Sequence, residues 1–204
     1  GQFSTQEEMA HLFQKAMISL KAGRHEEAVT AFSQLRERHA GDSVGLAQAE
    51  KFHGMAMASL SRGEEALDCW RRAVEVQERV AGSSDDLEAF RSEVGAMVLT
   101  AAKSFSSAAL EPRFLENTRM QLDAATLCSA VGQDGRASDH LKTVLRLLPE
   151  HAAALHALGG IRAREGRSEE AQSLLRSALA LQPTDAQGAL AAAALTCSQK
   201  DLEN

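Results

Sequence analysis

The sequence predicts an all-α protein built as a linear array of antiparallel helical hairpins, and three observations carry that expectation. The pattern Arg-x-Glu-Glu-Ala occurs three times, at positions 24–28, 62–66 and 167–171, each copy following one segment of helical apolar spacing and opening another. Pro149 and Pro183 stand 34 residues apart, as do Gly132 and Gly166, and Ala137 and Ala171. Self-similarity at that period marks stacked two-helix units that bury one another's apolar faces. Hydrophobic residues make up 44% of the 204 residues but aromatics only 4%, with no Tyr, so Ala and Leu must do most of the packing. Small side chains suit closely approaching helices better than a sheet, which favours β-branched and aromatic residues.

Each element has its own local reason. Ser4 and Thr5 precede Glu7 and Glu8 at the spacing by which a capping hydroxyl and a returning carboxylate satisfy the free N–H groups of a helix start. Leu12, Phe13, Ala16, Met17 and Leu20 follow at steps of three and four, one face of a helix, and Gly23 ends it. A second helix is expected from about His25 to Arg38, with Ala28, Phe32 and Leu35 on one stripe. Glu26 and Glu27 in its first turn complement the positive end of the helix dipole. Ala28 belongs where the two helices come closest, since a longer side chain there would wedge them apart.

The same grammar returns with Gly54, Ala66, Trp70 and Ala73, and again with Ala125, Ala137, Leu141, Val144 and Pro149. Its fullest copy is Leu155, Leu158, Gly159, Gly166, Ala171, Leu175, Ala178 and Pro183. Ala66 and Ala137 are 71 residues apart, about two repeats, so a further unit belongs between them. Its first helix is expected from positions 84–86 to about Phe105. Its second is expected to be shortened to about 107–111, because Ser106 and Ser107 and then Pro112 interrupt a long run. The Ala-rich stretch from Thr184 is expected to cap the last hairpin. Residues 1–204 then form one array, with hairpins at about 4–40, 42–81, 84–111 (degenerate), 113–149 and 150–183, and a capping helix at about 184–202.

These residues resemble the tetratricopeptide repeat (TPR) family, which pairs two antiparallel helices per unit. The family places a small residue inside the first helix, Ala early in the second, an apolar residue a turn later and Pro after the unit. The resemblance covers nearly the whole chain and is strongest over 122–183. The first two copies depart from the pattern, with Ala40 and Glu78 at the closing Pro position and Ala16 where Gly is usual. The resemblance implies a right-handed superhelix, a TPR-like α-α solenoid, whose first helices line a concave groove for extended or helical peptides.

Mapped by that resemblance, the groove positions are Phe13, Met17, Leu20, Lys51 and Met55, then Ala96 and Leu99, then Arg119, Leu122 and Thr126, and last His156, Gly160 and Arg164. The N-terminal part of this wall is apolar and carries two adaptable methionines; the C-terminal part carries cations. Phe13 and Met17 have an alternative place packed on the neighbouring hairpin, and Arg119 and Arg164 as plain surface charge. One subset of the family clamps the C-terminal carboxylate of the Hsp70 and Hsp90 chaperones with Lys and Asn. Here Lys51 has the right character, but Met55 stands where Asn should follow and Asn117 and Asn204 lie elsewhere. A chaperone-tail partner is therefore not expected.

Composition and motifs exclude other classes. A net charge of −6 opposes nucleic-acid binding, which demands a basic face. No apolar run approaches the ~18 residues of a membrane span. No secretory leader is recognisable, and Gly1 in place of Met suggests a trimmed start. Cys69, Cys128 and Cys197 read as reduced core thiols of a cytoplasmic protein. His151 and His156 are five apart and cannot share a helix face. There is no His-Glu-x-x-His and no Cys pair at zinc spacing, no His near Cys128 in sequence, and no phosphate loop around Gly159 and Gly160. No catalytic residue, metal ligand or cofactor is assigned, and the chain is read as a non-enzyme. The expected function is a protein–protein interaction scaffold, taking a partner peptide or helix in its groove as part of a larger assembly. Two alternatives stand beside it: a self-associating module pairing through its terminal helix, and a regulatory domain of a larger enzyme.

Overall fold

The computed structural model describes residues 5–38, 41, 43–82 and 85–181, and every regular element among them is helical. The helices are α1 (Thr5–Lys21), α2 (His25–Arg38), α3 (Val44–Ser59), α4 (Gly63–Ala81), α5 (Asp85–Ala109), α6 (Thr118–Ala130), α7 (Asp134–Leu147), α8 (Ala152–Arg164) and α9 (Ser168–Leu181), with a 3-10 turn at Pro112–Phe114. Helices α1 and α2, α3 and α4, α6 and α7, and α8 and α9 pack pairwise as hairpins. The expected capping helix at 184–202 lies outside the described residues. No helix among them is long and apolar enough to cross a membrane.

The chain forms two compact units, Gly1–Phe105 and Ser106–Asn204. The division falls inside α5, whose last turn belongs to the second unit.

One device closes all four hairpins. Gly23, Gly132 and Gly166 take φ of 72°, 74° and 75°, the left-handed conformation that glycine adopts without penalty, and Ser61 takes 59° in the same place between α3 and α4. The next residue then turns its N–H back onto the preceding helix: Arg24 to the Ser19 carbonyl at 2.9 Å, Arg62 to Met57 at 3.0 Å, Gln133 to Cys128 at 2.8 Å and Arg167 to Arg162 at 2.9 Å. The carbonyl of that same residue accepts the N–H of Ala28, Ala66, Ala137 or Ala171. This explains the threefold motif. Its Arg leaves the turn, its two Glu fill the first helical turn, and its Ala enters the core. Arg24, Arg62 and Arg167 also pair with Glu27, Glu65 and Glu170, but these pairs are exposed or half-exposed and such bridges contribute little, ~0–1 kcal/mol. The backbone bonds and the buried Ala carry the motif, which is why the hairpin of α6 and α7 forms with Gln133 in place of Arg.

Packing inside each hairpin depends on missing side-chain bulk. Ala28, Ala66, Ala137 and Ala171 are wholly buried. A Cβ on Gly54 would lie 2.5 Å from the Trp70 indole nitrogen, and one on Gly159 would lie 2.8 Å from Leu175 Cγ. Trp70 is pinned there because its indole N–H donates to the Lys51 carbonyl at 3.1 Å. Phe13 meets Phe32 and Phe52 edge-on at 6.2 Å, and Phe32 stacks on the His53 ring at 5.8 Å.

The degenerate hairpin expected at 84–111 is instead one helix of 25 residues, α5. Ser106 does not break it, because Ala101, Ala102, Phe105, Ser106 and Ala109 form one buried stripe and the Ser106 hydroxyl is satisfied by the His140 ring at 3.0 Å. The chain turns only at Pro112, which opens the 3-10 turn with Glu111 extended before it, as the steric demand of a proline ring requires. The Gln121 amide ties the two ends together, donating to the Ala109 carbonyl at 2.9 Å.

Adjacent glycines in α8 give a test of this packing. Gly159→Ala should destabilise by about 1–3 kcal/mol, since its Cβ needs space held by Leu175. Gly160→Ala should stabilise by about 0.5–1 kcal/mol, because only the end of the Arg164 side chain comes within 3.9 Å and alanine is the better helix former. Urea melts in which both variants moved the midpoint in the same direction would contradict the assignment.

Candidate functional site

In the first unit α5 stands beside the hairpin of α3 and α4 and is fastened at its edges. Lys51 meets Glu93 at 2.9 Å, and Arg91 pairs with Glu78. From Glu93 toward the C-terminal end of α5 runs a groove of about 460 Å³, lined by Met55, Ala58, Ser59 and Trp70 on one side and Glu93, Ala96, Met97, Thr100, Ala101, Ser104 and Phe105 on the other. Apart from Glu93 and three hydroxyls, its wall is apolar. A second hollow of about 320 Å³ lies between Leu67, Trp70, Val74, Val94 and Val98. Trp70 lines both hollows and rests against Gly54.

The groove residues expected from sequence fall in different places. Met55 and Ala96 do line the groove, and Met55 is exposed. Phe13, Met17 and Leu20 are half-buried on α1, where Phe13 is engaged with Phe32 and Phe52. Leu99 is half-buried on α5 but does not face the groove. Lys51, expected as a groove position, is engaged within the fold. It is buried, its ammonium paired with Glu93 and lying 4.8 Å from the Phe52 ring centre and 5.3 Å from that of Phe90.

Arg119, Leu122, Thr126, His156, Gly160 and Arg164 belong to the second unit. Leu122, Thr126, His156 and Gly160 are half-buried there, whereas Arg119 and Arg164 are exposed. The Arg164 guanidinium is committed to Asp134 at 2.7 Å and to the Ser129 hydroxyl at 2.8 Å, and this guanidinium holds the Asp134 carboxyl below its usual range. Trp70, Met97 and Phe105 were not among the expected positions. Met97 and Phe105 could have been found from the spacing of 93, 97, 100, 101, 104 and 105 along an unbroken helix.

Two buried polar clusters accompany the apolar packing. In the first unit Glu50 and His53 on α3 and Cys69 on α4 bring one ligand atom each to within 4.8 Å of one another. Arg36 and Arg72 reach Glu50 at 3.8 and 3.4 Å, and Arg72 also donates to the Cys69 sulfur at 3.2 Å. Burial, reinforced by the nearby arginines, lowers the His53 pKa to about 4, so the ring is neutral at pH 7. Burial pushes the Cys69 thiol up to about 11.

In the second unit Gln121 Oε1 lies 2.7 Å from His140 Nδ1, and Ser106 Oγ lies 3.0 Å from Nε2. Because the Gln121 amide nitrogen is spent on the Ala109 carbonyl, its oxygen accepts, so Nδ1 carries the proton and Nε2 accepts from Ser106. Hydroxyl, imidazole and orienting group stand in the order of a nucleophile and its base. Yet Ser106 is buried within a helix whose N–H groups are spent in helical bonds, so none is free to receive an oxyanion. Within the second unit the arrangement fastens the residues from Ser106 to Ala109 to α6 and α7.

No protein-family model matches the chain, and no curated protein matches it in sequence. Among solved structures it is similar to YrrB, a TPR protein with an unusual peptide-binding site, at 18% identity over 88% of each chain and a TM-score of 0.43. It is also similar to the C-terminal TPR-containing domain of a Plasmodium falciparum protein, at 19% identity over 78% of this chain and 92% of that one, with a TM-score of 0.42. A tetratricopeptide repeat protein from Parabacteroides merdae gives 15% identity over 97% of this chain and 62% of its own, at a TM-score of 0.49. The likeness is one of helical-hairpin fold, and it assigns no partner.

The His140 cluster makes stability depend on pH. Burial holds His140 below its ordinary value of 6.5, with Arg136 adding to the shift and Asp139 opposing it. The unfolded chain therefore takes up the proton first, and the contribution is complete above about 6.5 and lost as pH falls below it. Between pH 7 and 5 the wild-type protein should lose more unfolding free energy than His140→Gln does. Parallel pH profiles from denaturant melts would show that His140 carries none of this dependence.

Proposed function

We propose that the chain is a protein-interaction module and that its binding site is the groove beside Trp70 in the first unit. The occupant is a short peptide or helical segment of another protein that presents one or two large apolar side chains. The single observation that carries this reading is the groove itself. Its volume of about 460 Å³ falls within the range of small-ligand and side-chain pockets, and its wall offers two methionines, an indole and a phenyl ring but little charge. Such a wall rewards burial of apolar surface and offers few polar groups to fix a reacting centre, which favours binding over catalysis.

The site differs from the one implied by family resemblance. Lys51 and Arg164 are engaged within the fold, so the anchor chemistry is apolar and complementary charge on the partner plays a small part. Self-association through the terminal helix rests on residues outside those described, and no other observation favours it.

Trp70 is the only tryptophan and lines the groove, so its fluorescence reports occupancy. Peptides selected on this chain from a random library should be rich in Leu, Phe or Trp and should shift that emission on binding. Burying one large side chain contributes ~1.5–3 kcal/mol, so Met55→Glu with Met97→Glu should weaken binding more than about tenfold while helicity is retained. Selected peptides that bound this folded double variant as tightly as wild type would place the site elsewhere.

A further inference from the structure

We propose that Glu50, His53 and Cys69 form a binding site for a divalent transition-metal ion of the zinc class, with a Glu50 carboxylate oxygen, a His53 ring nitrogen and the Cys69 sulfur as its ligands. The three donors belong to the set that zinc prefers, and all three residues are almost wholly buried. Three atoms no more than 4.8 Å apart have a common centre at most about 2.8 Å from each, so reaching zinc distances of ~2.0–2.3 Å needs less than about an ångström of movement per side chain.

His53 supplies the independent observation. Its residue exposure is 1%, and neither ring nitrogen has a hydrogen-bond partner. A buried imidazole without partners is costly to leave so, and coordination of one nitrogen offsets part of that cost. Hairpin closure assembles the set. Glu50 and His53 are three residues apart on α3 and share its face, while Cys69 comes across from α4 beside the contact of Gly54 with Trp70.

The two guanidiniums beside Glu50 set the terms of binding. Arg72 contacts two of the three ligands and Arg36 one, and both side chains are about two-fifths exposed. They stabilise the carboxylate when no metal is present, and can turn outward to water when an ion replaces them. The Cys69 thiol loses its proton to solvent as its sulfur takes the metal, so one proton is released per ion bound, and water fills the fourth position. A thiolate, an imidazole and a single carboxylate select zinc or cobalt over calcium or magnesium.

The test is titration of the untagged, reduced and chelator-treated chain with Co²⁺. One ion per chain should give a thiolate-to-cobalt charge-transfer absorption, and Zn²⁺ should abolish it by displacement. Cys69→Ser should remove that absorption and weaken binding at least about tenfold, whereas Cys128→Ser should leave both unchanged. Arg72→Gln should tighten binding, about tenfold, by removing a positive charge that repels the ion and competes for Glu50. An absent charge-transfer band, or one that survives Cys69→Ser, would overturn the proposal. If Cys69→Ser fails to fold by circular dichroism, Arg72→Gln decides: tighter cobalt binding supports the site, and unchanged or weaker binding overturns it.

Discussion

The contact on which the first unit depends is the seating of the Trp70 indole directly on Gly54. The indole occupies the place that any larger residue at position 54 would fill, and its N–H is spent on the Lys51 carbonyl. Fixed in this way, Trp70 closes the hairpin of α3 and α4 from one side and floors the groove beside α5 from the other. The same closure brings Cys69 over Glu50 and His53. Core, groove and buried polar cluster thus share one constraint, a glycine in the middle of a helix.

The second unit repeats the constraint with different residues. Gly159 admits Leu175, and Ala137 and Ala171 lie where α7 meets α6 and α9 meets α8. Its irregular beginning is held by polar bonds. Ser106, His140 and Gln121 form a buried chain that ends on the Ala109 carbonyl, so the last turn of α5 is fastened to α6 and α7. A buried network of this kind stabilises only while every member is paired, which makes it sensitive to the charge on one imidazole.

Much of the fold was legible because repeat grammar records local physics. A left-handed turn residue and a buried Ala recur at fixed offsets in the four hairpins, a turn glycine and a first-turn carboxylate pair each in three of them, and α2 begins at His25 as its sequence predicts. Ser61 hid one of the four turns, since a serine gives no sign of the left-handed conformation that it adopts. Ser106 looked like an interruption because its partner, His140, is 34 residues away in sequence. The candidate groove was legible only in part, for a related reason. Lys51 and Arg164 have the character of groove cations, but Glu93 and Asp134 neutralise them through contacts made only on folding. Glu50 and His53 stand three residues apart on α3, but that spacing alone marks no ligand pair, and Cys69 joins them only when α4 packs on α3.

The central claim is that Gly54 is required because Trp70 sits on it, and a double-mutant cycle tests this most directly. Gly54→Ala should destabilise wild type by about 1–3 kcal/mol through its collision with the indole. In the Trp70→Leu background, where the collision is gone, the same change should cost little or stabilise slightly, leaving a coupling of at least about 1 kcal/mol. Equal costs of Gly54→Ala in the two backgrounds would show that the two residues act independently, and would contradict the account.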